Sequence, residues 1–456
     1  MRRTTLIVCL LLFTQLTFAQ TDKLQKPGRD WQIYNDVEDA GYSTAKLDSA
    51  KRLFDTSKGA ALFVVHQGRV LLSLGETNRR FMCASMRKSF MSALIGIAAA
   101  NQQIDLSETL ESLNIDDIQP LSKTERTATL TDLLAARSGV YHPAAFSPKG
   151  MAANLPPRGS HLPGDFWYYN NWDFNVLVSI YEQKTETGIF DAFDKLIAKP
   201  LQMNDFKLEH TYYCYERKIS NHPAYLFRMT ARDMARFGLL YLNNGKWGNQ
   251  QIISEEWIKK STEPISRDIG AFADRGAYGY LWWISNPIRD INMYFASGVG
   301  GQKIAVLPEA DLVIVHLANS YQFQNVRHGK FLKLVETILD ARVTPAINNP
   351  RVTSLQMPTR AIPETMNSAP DDLSKLEGTY RHRILGASHV KVKGDMLELE
   401  VRVGKFQMLP TSPLNFWIPD IELPAVFAPA PSPDMKYKAK SVIDDNREAT
   451  SIVLYF

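Results

Sequence analysis

Ser85 and Lys88 stand three residues apart at the start of a long apolar stretch, in the segment Ser-Met-Arg-Lys. The stretch has the composition of a buried helix, and residues i and i+3 share one helix face, so Lys88 is expected within reach of Ser85. A serine hydroxyl becomes a good nucleophile when a neighbouring base takes its proton. Burial lowers the pKa of a lysine, so a neutral Lys88 amine can be that base. The unpaired N–H groups of a helix start favour the oxyanion of a tetrahedral intermediate. The spacing therefore indicates acyl transfer through Ser85.

Ser-x-x-Lys is a short pattern, and a purely structural interpretation stays open for it. Ser85 could cap the helix, and Lys88 could extend along its surface. The same pattern occurs again at Ser43-Thr44-Ala45-Lys46, in a polar stretch that no predicted hairpin precedes. Arg87, inside the first match, is expected to be exposed.

Two later segments offer groups that acyl transfer still needs. Residues 169–171, Tyr-Asn-Asn, supply a phenol that can relay a proton, and the amide of Asn171 can bind Lys88 or a substrate carbonyl. The register that begins at Tyr168 also fits. Residues 297–301, Ser-Gly-Val-Gly-Gly, precede a predicted strand, and glycines allow the backbone to approach a ligand closely. The structural alternatives are an aromatic core patch and a glycine-rich loop that enters a hairpin.

The elements that must position these groups are strands at both ends of one region and helices between them. Residues 60–76 are two apolar runs around Gln67-Gly68 and predict a hairpin, and residues 303–319 predict a second hairpin with its turn at 308–310. We expect the two hairpins to pair in one mostly antiparallel sheet flanked by helices with a helical subdomain, an α/β (α+β) fold. Apolar residues at helical spacing predict further helices at 130–140, 174–185, 230–245 and 331–341.

Some boundaries of these elements can also be predicted. Gly139 is expected to end the first of those helices, and Thr230 is expected to cap the third. Residues 141–165 are rich in proline and glycine and are expected to form a loop.

Changes in composition divide the chain into four regions. Residues 1–19 are interpreted as a signal peptide, and residues 20–342, which begin with a polar lead-in over 20–45, as the main domain. Residues 343–372 are proline-rich and without periodicity, as in a linker. Short alternating runs with a Lys-Gly-Asp turn predict a small all-β domain over 373–456.

The N-terminal region has the three parts of a secretory signal. Arg2 and Arg3 precede an apolar run over residues 6–16, and Thr17-Phe18-Ala19 is a small-residue cleavage site. An uncleaved anchor is the alternative. We expect a periplasmic or secreted protein without stable membrane insertion after cleavage of the signal.

Charge and ligand-type residues exclude several function classes. The chain has 52 Lys+Arg against 48 Asp+Glu, and the signal holds two of the arginines, so the mature balance is 50 − 48 = +2. Without a basic run, nucleic acid is not an expected partner. The nine histidines are scattered, and His-Glu-x-x-His and Cys-x-x-Cys are absent, so we expect neither a metal nor a cofactor. Cys83 and Cys214 are expected to be small buried residues, although a bridge between them stays open.

The three motifs, in this order, resemble those of the serine β-lactamase and penicillin-binding protein superfamily. The resemblance covers residues 45–342 and lies in the class C-like branch, closest in pattern to its esterases and 6-aminohexanoate-dimer hydrolases. It implies the β-lactamase/transpeptidase-like fold, and the tail is similar to the small β-barrel domain that often follows it. It implies that Ser85 is the acylated nucleophile, with Lys88 as its base and Tyr169 as the motif tyrosine. The substrate-binding residues that it implies are Asn171, Ser297, Gly298 and Val299.

The third motif departs from the family pattern at Ala296, where β-lactamases and DD-peptidases have a cation that helps to engage the substrate carboxylate. The resemblance therefore favours a small ester, amide or short peptide as substrate over a β-lactam. The N–H groups of Ser85 and Val299 are the implied oxyanion hole. A β-lactamase or D-amino-acid peptidase stays the alternative, and a non-catalytic binding or sensor module on the same fold is the alternative of another class. The pattern does not specify the oligomeric state.

Overall fold

The computed structural model describes residues 26–320 and 324–356, and the predicted signal peptide lies outside them. The described parts of the tail are residues 373–382, 386–394, 396–401, 404–412, 415–418, 423–428, 438–441 and 451–454. The strands of the first part are β1 (Gln32–Tyr34), β2 (Ala61–His66), β3 (Arg69–Gly75), β4 (Phe81–Met82), β5 (Thr211–Cys214), β6 (Ala224–Met229), β7 (Lys246–Trp247), β8 (Gln250–Gln251), β9 (Ala277–Tyr278), β10 (Trp283–Ile284), β11 (Tyr294–Gly298), β12 (Gln302–Leu307), β13 (Leu312–Leu317) and β14 (Val352–Ser354).

The helices of the described chain surround the main sheet. They are α1 (Thr44–Thr56), α2 (Arg87–Ala100), α3 (Leu130–Leu134), α4 (Lys149–Ala153), α5 (Asn171–Thr185), α6 (Ile189–Phe193), α7 (Ala231–Leu242), α8 (Glu255–Thr262) and α9 (His328–Asp340). Among the residues that the structure describes, no helix has both the length and the hydropathy of a membrane span.

One nine-stranded sheet organises the main domain, in the order β14-β1-β3-β2-β13-β12-β11-β10-β9. The predicted hairpins are β2–β3 and β12–β13, and β13 pairs antiparallel with β2. The predicted joining of the two hairpins is therefore confirmed. Neighbouring strands are antiparallel except for β1 and β3, which are parallel. Every residue of β2, β12 and β13 is buried, as expected for apolar strands covered on both faces.

The two faces of the sheet are covered by different helices. A side chain added at Gly238 of α7 would meet Val313 and Ile304, so α7 packs on the face of these residues. The opposite face holds His316, whose ring lies 5.9 Å from that of Phe331 in α9. Thr230 caps α7 by accepting a hydrogen bond from the backbone of the third residue of the helix, as predicted.

Several predicted boundaries were wrong. The helix predicted over 130–140 ends at Leu134 instead of Gly139, because Ala136 already adopts a left-handed φ of 57°. The loop over 141–165 contains the short helix α4. The polar lead-in contains β1, and the predicted linker contains β14, which pairs with β1 at the edge of the main sheet. Backbone pairing between distant segments, rather than local pattern, forms this edge.

The described tail is all-β, as predicted, and forms a closed barrel. Its strands are β15 (Gly378–His382), β16 (Gly386–Lys393), β17 (Met396–Val401), β18 (Gly404–Ser412), β19 (Asn415–Ile418), β20 (Leu423–Ala428), β21 (Lys438–Ser441) and β22 (Ser451–Leu454). Leu397 and Leu399 are buried in its core. The same cluster of buried apolar side chains contains Met82 and Leu226 of the three-stranded sheet β4-β6-β5, next to the turn that carries Ser85.

Candidate active site

Ser85 lies in a short 3-10 turn, Ala84–Met86, that joins β4 to α2. Ala84, directly before it, has a φ of 49°, a left-handed conformation that a residue with a Cβ rarely adopts. Such backbone strain concentrates at functional sites, where it directs a side chain out of the fold. Ser85 is partly exposed, whereas both residues that flank it are buried.

Lys88 reaches back from α2 to Ser85, as the i, i+3 spacing predicts. Its Nζ lies 2.8 Å from the Ser85 Oγ, and the lysine side chain is buried. Burial, and then the charge of Arg87, lower the pKa of Lys88 well below its usual value. No carboxylate contributes to that pKa. Lys46 of the second Ser-x-x-Lys match instead donates to the Asp340 carbonyl oxygen.

Arg87 is buried, and the prediction that it is exposed was wrong. Its Nη1 donates a 2.8 Å hydrogen bond to the Ala84 carbonyl oxygen, and its Cζ lies 4.9 Å from the centroid of the Tyr225 ring. The guanidinium therefore contacts both the strained turn before Ser85 and the Tyr225 ring, while its buried Nε has no hydrogen-bond partner among the described residues.

Tyr169, rather than Tyr168, belongs to the site. Lys88 Nζ lies 4.9 Å from the centroid of the Tyr169 ring and 4.8 Å from that of Phe174. Burial raises the pKa of the Tyr169 hydroxyl, and its hydrogen bond with Ser85 opposes this rise. The Tyr168 hydroxyl donates instead to the backbone of α4 and its cap, at the Met151 and Asn154 carbonyl oxygens. Of the two tyrosines that fit the Tyr-x-Asn pattern, Tyr169 is therefore the one beside Ser85 and Lys88.

The two asparagines after Tyr169 have different positions. Asn170 caps α5, because its Oδ1 accepts a 3.2 Å hydrogen bond from the Trp172 backbone N–H. Asn171 is buried at the first position of α5, and its Nδ2 lies 3.4 Å from the Ser147 Oγ. Within the described chain its Oδ1 has no hydrogen-bond partner, so it does not bind Lys88 here. An amide oxygen left free in this way can accept a hydrogen bond from a substrate.

The third motif lies on β11, which passes beside the Ser85 turn. A Cβ built on Gly298 would come within 2.7 Å of the Cys83 carbonyl oxygen, so only glycine allows this approach. Gly298 pairs with Gln302 at the end of the β11–β12 ladder, and Val299 lies beyond the ladder with 64% of its surface exposed. Gly300 and Gly301 have φ values of 82° and 106° in the turn that follows. Gly298 therefore lets β11 pack against the turn that carries Ser85, and the approach of this backbone to a ligand stays a prediction.

Two basic side chains that the motifs did not include converge on the third motif. Ser297 is paired in register with Lys303 on β12, and Lys303 Nζ donates to the Ser297 Oγ. Arg275 Nη1 also donates to this oxygen, at 3.1 Å. A lysine directly before the apolar run of β12 was the signal that could have identified Lys303. Burial, and then the charge of Arg275, lower the pKa of Lys303 well below its usual value. Position 296 therefore lacks a basic side chain, but its neighbour Ser297 contacts two of them.

Asp173, two residues after Asn171 in α5, is a buried acid. Asp173 accepts a 2.7 Å hydrogen bond from the Ser138 hydroxyl. Burial raises the pKa of the Asp173 carboxyl well above its usual value, which favours its neutral form. In the residues described, no group of three potential metal ligands is found. Cys83 and Cys214 are both buried free thiols, as favoured from the sequence.

Comparisons with known proteins agree with the fold. A family model described as Beta-lactamase matches residues 50–335. A 6-aminohexanoate-dimer hydrolase from Paenarthrobacter ureafaciens is 32% identical over 108 residues, which are 22% of this chain and 26% of the relative. The matched segment thus spans about a quarter of that curated relative.

Two solved structures are similar in fold. A Bacillus anthracis protein assigned as a 6-aminohexanoate-dimer hydrolase is 22% identical with a TM-score of 0.53, over 69% of this chain and 87% of that one. A Bacteroides dorei DSM 17855 protein assigned as a β-lactamase is 18% identical with a TM-score of 0.50, over 66% of this chain and 99% of the other. At these identities the similarity shows the fold, and the chemistry has to be argued from the site.

Proposed function

The chain belongs to the Beta-lactamase family, and on that premise we propose that it is a serine hydrolase that forms an acyl-enzyme on Ser85. The observation that carries the proposal is the 2.8 Å contact between the Lys88 Nζ and the Ser85 Oγ, with the amine buried and its pKa depressed. A lowered pKa favours the neutral amine, which is the form that can take the proton of a serine nucleophile.

The first half of the reaction follows from these contacts. Lys88 takes the Ser85 proton while the Oγ attacks the carbonyl carbon of an ester or amide, and the C=O electron pair moves onto oxygen. The N–H groups of Ser85 and Val299 would hold this oxyanion. Tyr169, hydrogen-bonded to Ser85, relays the proton from Lys88 to the leaving oxygen or nitrogen as its bond to carbon breaks. The acyl group remains as an ester of Ser85.

The second half repeats these steps with water in place of the leaving group. Lys88 and Tyr169 take a proton from water, which attacks the acyl carbon and displaces the Ser85 oxygen. Ser85 recovers its proton, and a carboxylic acid leaves. No step needs a metal or a redox partner, since every bond change is a proton transfer or an addition–elimination at one carbon.

A small ester or amide is the proposed substrate class, in preference to a β-lactam. Support comes from the relative of about one-third identity, which is named for hydrolysing the 6-aminohexanoate dimer, and from the absence of a cation at position 296. The intact Ser85, Lys88 and Tyr169 cluster favours turnover over a non-catalytic sensor role.

The test compares Ser85→Ala with Ser43→Ala, which changes the serine of the second Ser-x-x-Lys match. Initial rates with 4-nitrophenyl butyrate and nitrocefin are measured for both variants and the wild type. We expect Ser85→Ala to lose at least ~1000-fold in ester turnover and Ser43→Ala to keep it. A fluorophosphonate should add one adduct mass to the Ser43→Ala chain and none to Ser85→Ala.

The other outcomes would change the proposal. Fast Ser85-dependent cleavage of nitrocefin would assign the chain to the β-lactamases instead. Labelling of Ser85 without turnover of either substrate would favour a sensor module. Labelling of Ser85→Ala as strongly as of wild type would exclude Ser85 as the nucleophile.

We also propose that the mature protein works in the periplasm or outside the cell. The proposal rests on the N-terminal signal pattern in residues 1–19. The test is the mass of the protein recovered from the periplasm or medium of an expressing bacterium. A mature chain that begins at Gln20 is expected, and a full-length chain confined to the cytoplasm would refute export.

A further inference from the structure

Gln302, directly after the glycines of the third motif, has a buried side chain whose amide contacts three separate segments of the chain. Its Nε2 lies 2.9 Å from the Ala318 carbonyl oxygen and 3.0 Å from the Ser320 Oγ. The same nitrogen lies 3.4 Å from the Met82 carbonyl oxygen. The Gln302 Oε1 accepts a 2.9 Å hydrogen bond from the Ala318 backbone N–H. Only this orientation of the amide pairs both the N–H and the carbonyl oxygen of Ala318.

The contact with Met82 joins the two sheets that meet at the nucleophile. Met82 ends β4, an edge strand of the three-stranded sheet, and Ser85 follows three residues later. Gln302 begins β12 of the nine-stranded sheet, and Ala318 comes directly after β13 of the same sheet. One buried side chain therefore connects the segment that leads to Ser85 with two strands of the main sheet.

Gly298 leaves room for the Gln302 side chain beside the turn that carries Ser85. The two residues are paired in register on β11 and β12, and a Cβ built on Gly298 would lie 2.8 Å from the Gln302 Cβ. The same Cβ would lie 2.7 Å from the Cys83 carbonyl oxygen. Val299, whose N–H is the second donor of the proposed oxyanion hole, comes directly after Gly298. Gln302 thus lies between the two donors that the mechanism needs.

We propose that Gln302 is a positioning residue that sets the distance between the Ser85 nucleophile and the oxyanion donor of Val299. The inference rests on the proposed serine hydrolase function and specifies what aligns the two halves of its site. Ser85 follows a strand of one sheet and Val299 follows a strand of the other, so their separation depends on how the two sheets are joined. A misplacement of about 1 Å can cost about 100-fold in rate, and a lost oxyanion donor about 100- to 1000-fold in kcat.

Gln302→Met keeps the length of the side chain and removes its hydrogen bonds. We expect kcat for 4-nitrophenyl butyrate to fall about 10- to 100-fold and KM to change by less than about 3-fold, because the substrate still binds but its transition state is no longer aligned. Gln251→Met is the matched control. Gln251 also donates to two backbone carbonyl oxygens, those of Asn244 and Ile253, but does so at the β7–β8 hairpin, so kcat should stay at the wild-type value.

The analogue 4-nitrophenyl thionobutyrate shows whether the loss lies at the oxyanion hole. Its C=S sulfur is a weaker hydrogen-bond acceptor than oxygen and gains less from the two N–H donors. The ratio of kcat/KM for the oxygen ester to kcat/KM for the thiono ester should fall at least about 10-fold in Gln302→Met and stay unchanged in Gln251→Met. An equal loss for both esters would mean that Gln302 supports only the fold or the base, and would overturn the proposal. A wild-type kcat in Gln302→Met would overturn it too.

A second variant covers the case in which Gln302→Met does not fold. Gln302→Asn keeps the amide but shortens its reach by one methylene group, so that it cannot span from Ala318 to Met82. The ratio for the two esters should fall in the same direction as in the methionine variant. If circular dichroism showed that neither variant folds, Gln302 would be a structural residue, and its positioning role would be refuted.

Hydrogen exchange separates this proposal from the catalytic one, because it needs no turnover. In the Ser85→Ala background, Gln302→Met should raise amide exchange at least about 10-fold in peptides that cover residues 83–87 and 298–302, and should leave α8 unchanged. Unchanged exchange in both segments would refute the role of Gln302 while leaving Ser85 chemistry intact. Raised exchange there, in a protein without Ser85-dependent turnover, would support the connection through Gln302 and refute the hydrolase.

Discussion

Replacing Lys88 by methionine should abolish turnover and at the same time stabilise the fold. Lys88 is 1% exposed, makes one hydrogen bond, to Ser85, and has two aromatic rings within 5 Å of its Nζ. Methionine has nearly the same length and volume and carries no polar head into this site. Burying a polar group with incomplete pairing costs about 1–3 kcal/mol in mutational data. At about 2 °C per kcal/mol for a domain of this size, Lys88→Met should raise Tm by about 2–6 °C.

Turnover should fall in the same variant, because the nucleophile loses its base. General-base catalysis contributes about 10²–10⁴-fold, and the loss in kcat should lie in or above that range. The assay is 4-nitrophenyl ester hydrolysis together with thermal unfolding followed by circular dichroism. Lys46→Met, in the second Ser-x-x-Lys match, is the control and should change turnover by less than about 2-fold.

The pH dependence of stability gives an independent check on Lys88. Its folded pKa is lowered, so between that value and the unfolded pKa of about 10.4 the unfolded chain binds more protons than the folded one. Stability contributed by this group therefore rises with pH in that window. Between pH 7 and 9 the rise in Tm should be smaller in Lys88→Met than in wild type. Unchanged turnover, or a Tm below that of wild type, would refute the account of Lys88 as a buried neutral base.

Three further substitutions test other parts of the site. Gly298→Ala places a Cβ 2.7 Å from the Cys83 carbonyl oxygen and should push β11 away from the nucleophile. We expect kcat to fall about 10- to 100-fold. A kcat equal to that of wild type would contradict the argument that β11 has to pack this closely. Tyr169→Phe should lose about 100-fold or more in ester hydrolysis, while Tyr168→Phe should keep its activity within about 2-fold of wild type. A large loss in Tyr168→Phe and none in Tyr169→Phe would mean that Tyr168 is the motif tyrosine. Burial raises the pKa of Asp173 and so favours its neutral form, which an amide of the same shape resembles. Asp173→Asn should therefore lower the urea midpoint by less than the equivalent of about 1 kcal/mol, and a loss above about 3 kcal/mol would contradict a neutral carboxyl.

The parts of the fold that could be predicted are those set by local pattern. The β2–β3 and β12–β13 hairpins have apolar runs on both sides of turn residues, and α5, α7 and α9 have apolar residues at helical spacing. β1 and β14 are three residues each, too short for a periodic pattern, and their pairing with distant segments makes them strands. Local sequence carries no signal for a pair so distant along the chain.

In the active site too, contacts between residues close in sequence could be predicted, and contacts between distant segments could not. Ser85 and Lys88 are three residues apart, and a helix fixes their contact without reference to the rest of the chain. Arg275 comes from a loop whose path the sequence does not specify, and Lys303 reaches the site only through its register with Ser297. Charged residues are rarely buried, so the sequence favours an exposed Arg87. In the structure its guanidinium lies over the Tyr225 ring, and this contact offsets part of the cost of its burial.

The pairing of β1 with β14 has a consequence for how the chain is made. Gln32 faces Ser354 across the edge of the main sheet, so strands that leave the ribosome about 320 residues apart (354 − 32 = 322) must find each other. Until residue 354 has been synthesised, the exposed edge of the parallel β1–β3 pair has no natural neighbour. A nascent or truncated chain that stops before β14 is therefore the form most prone to associate edge to edge.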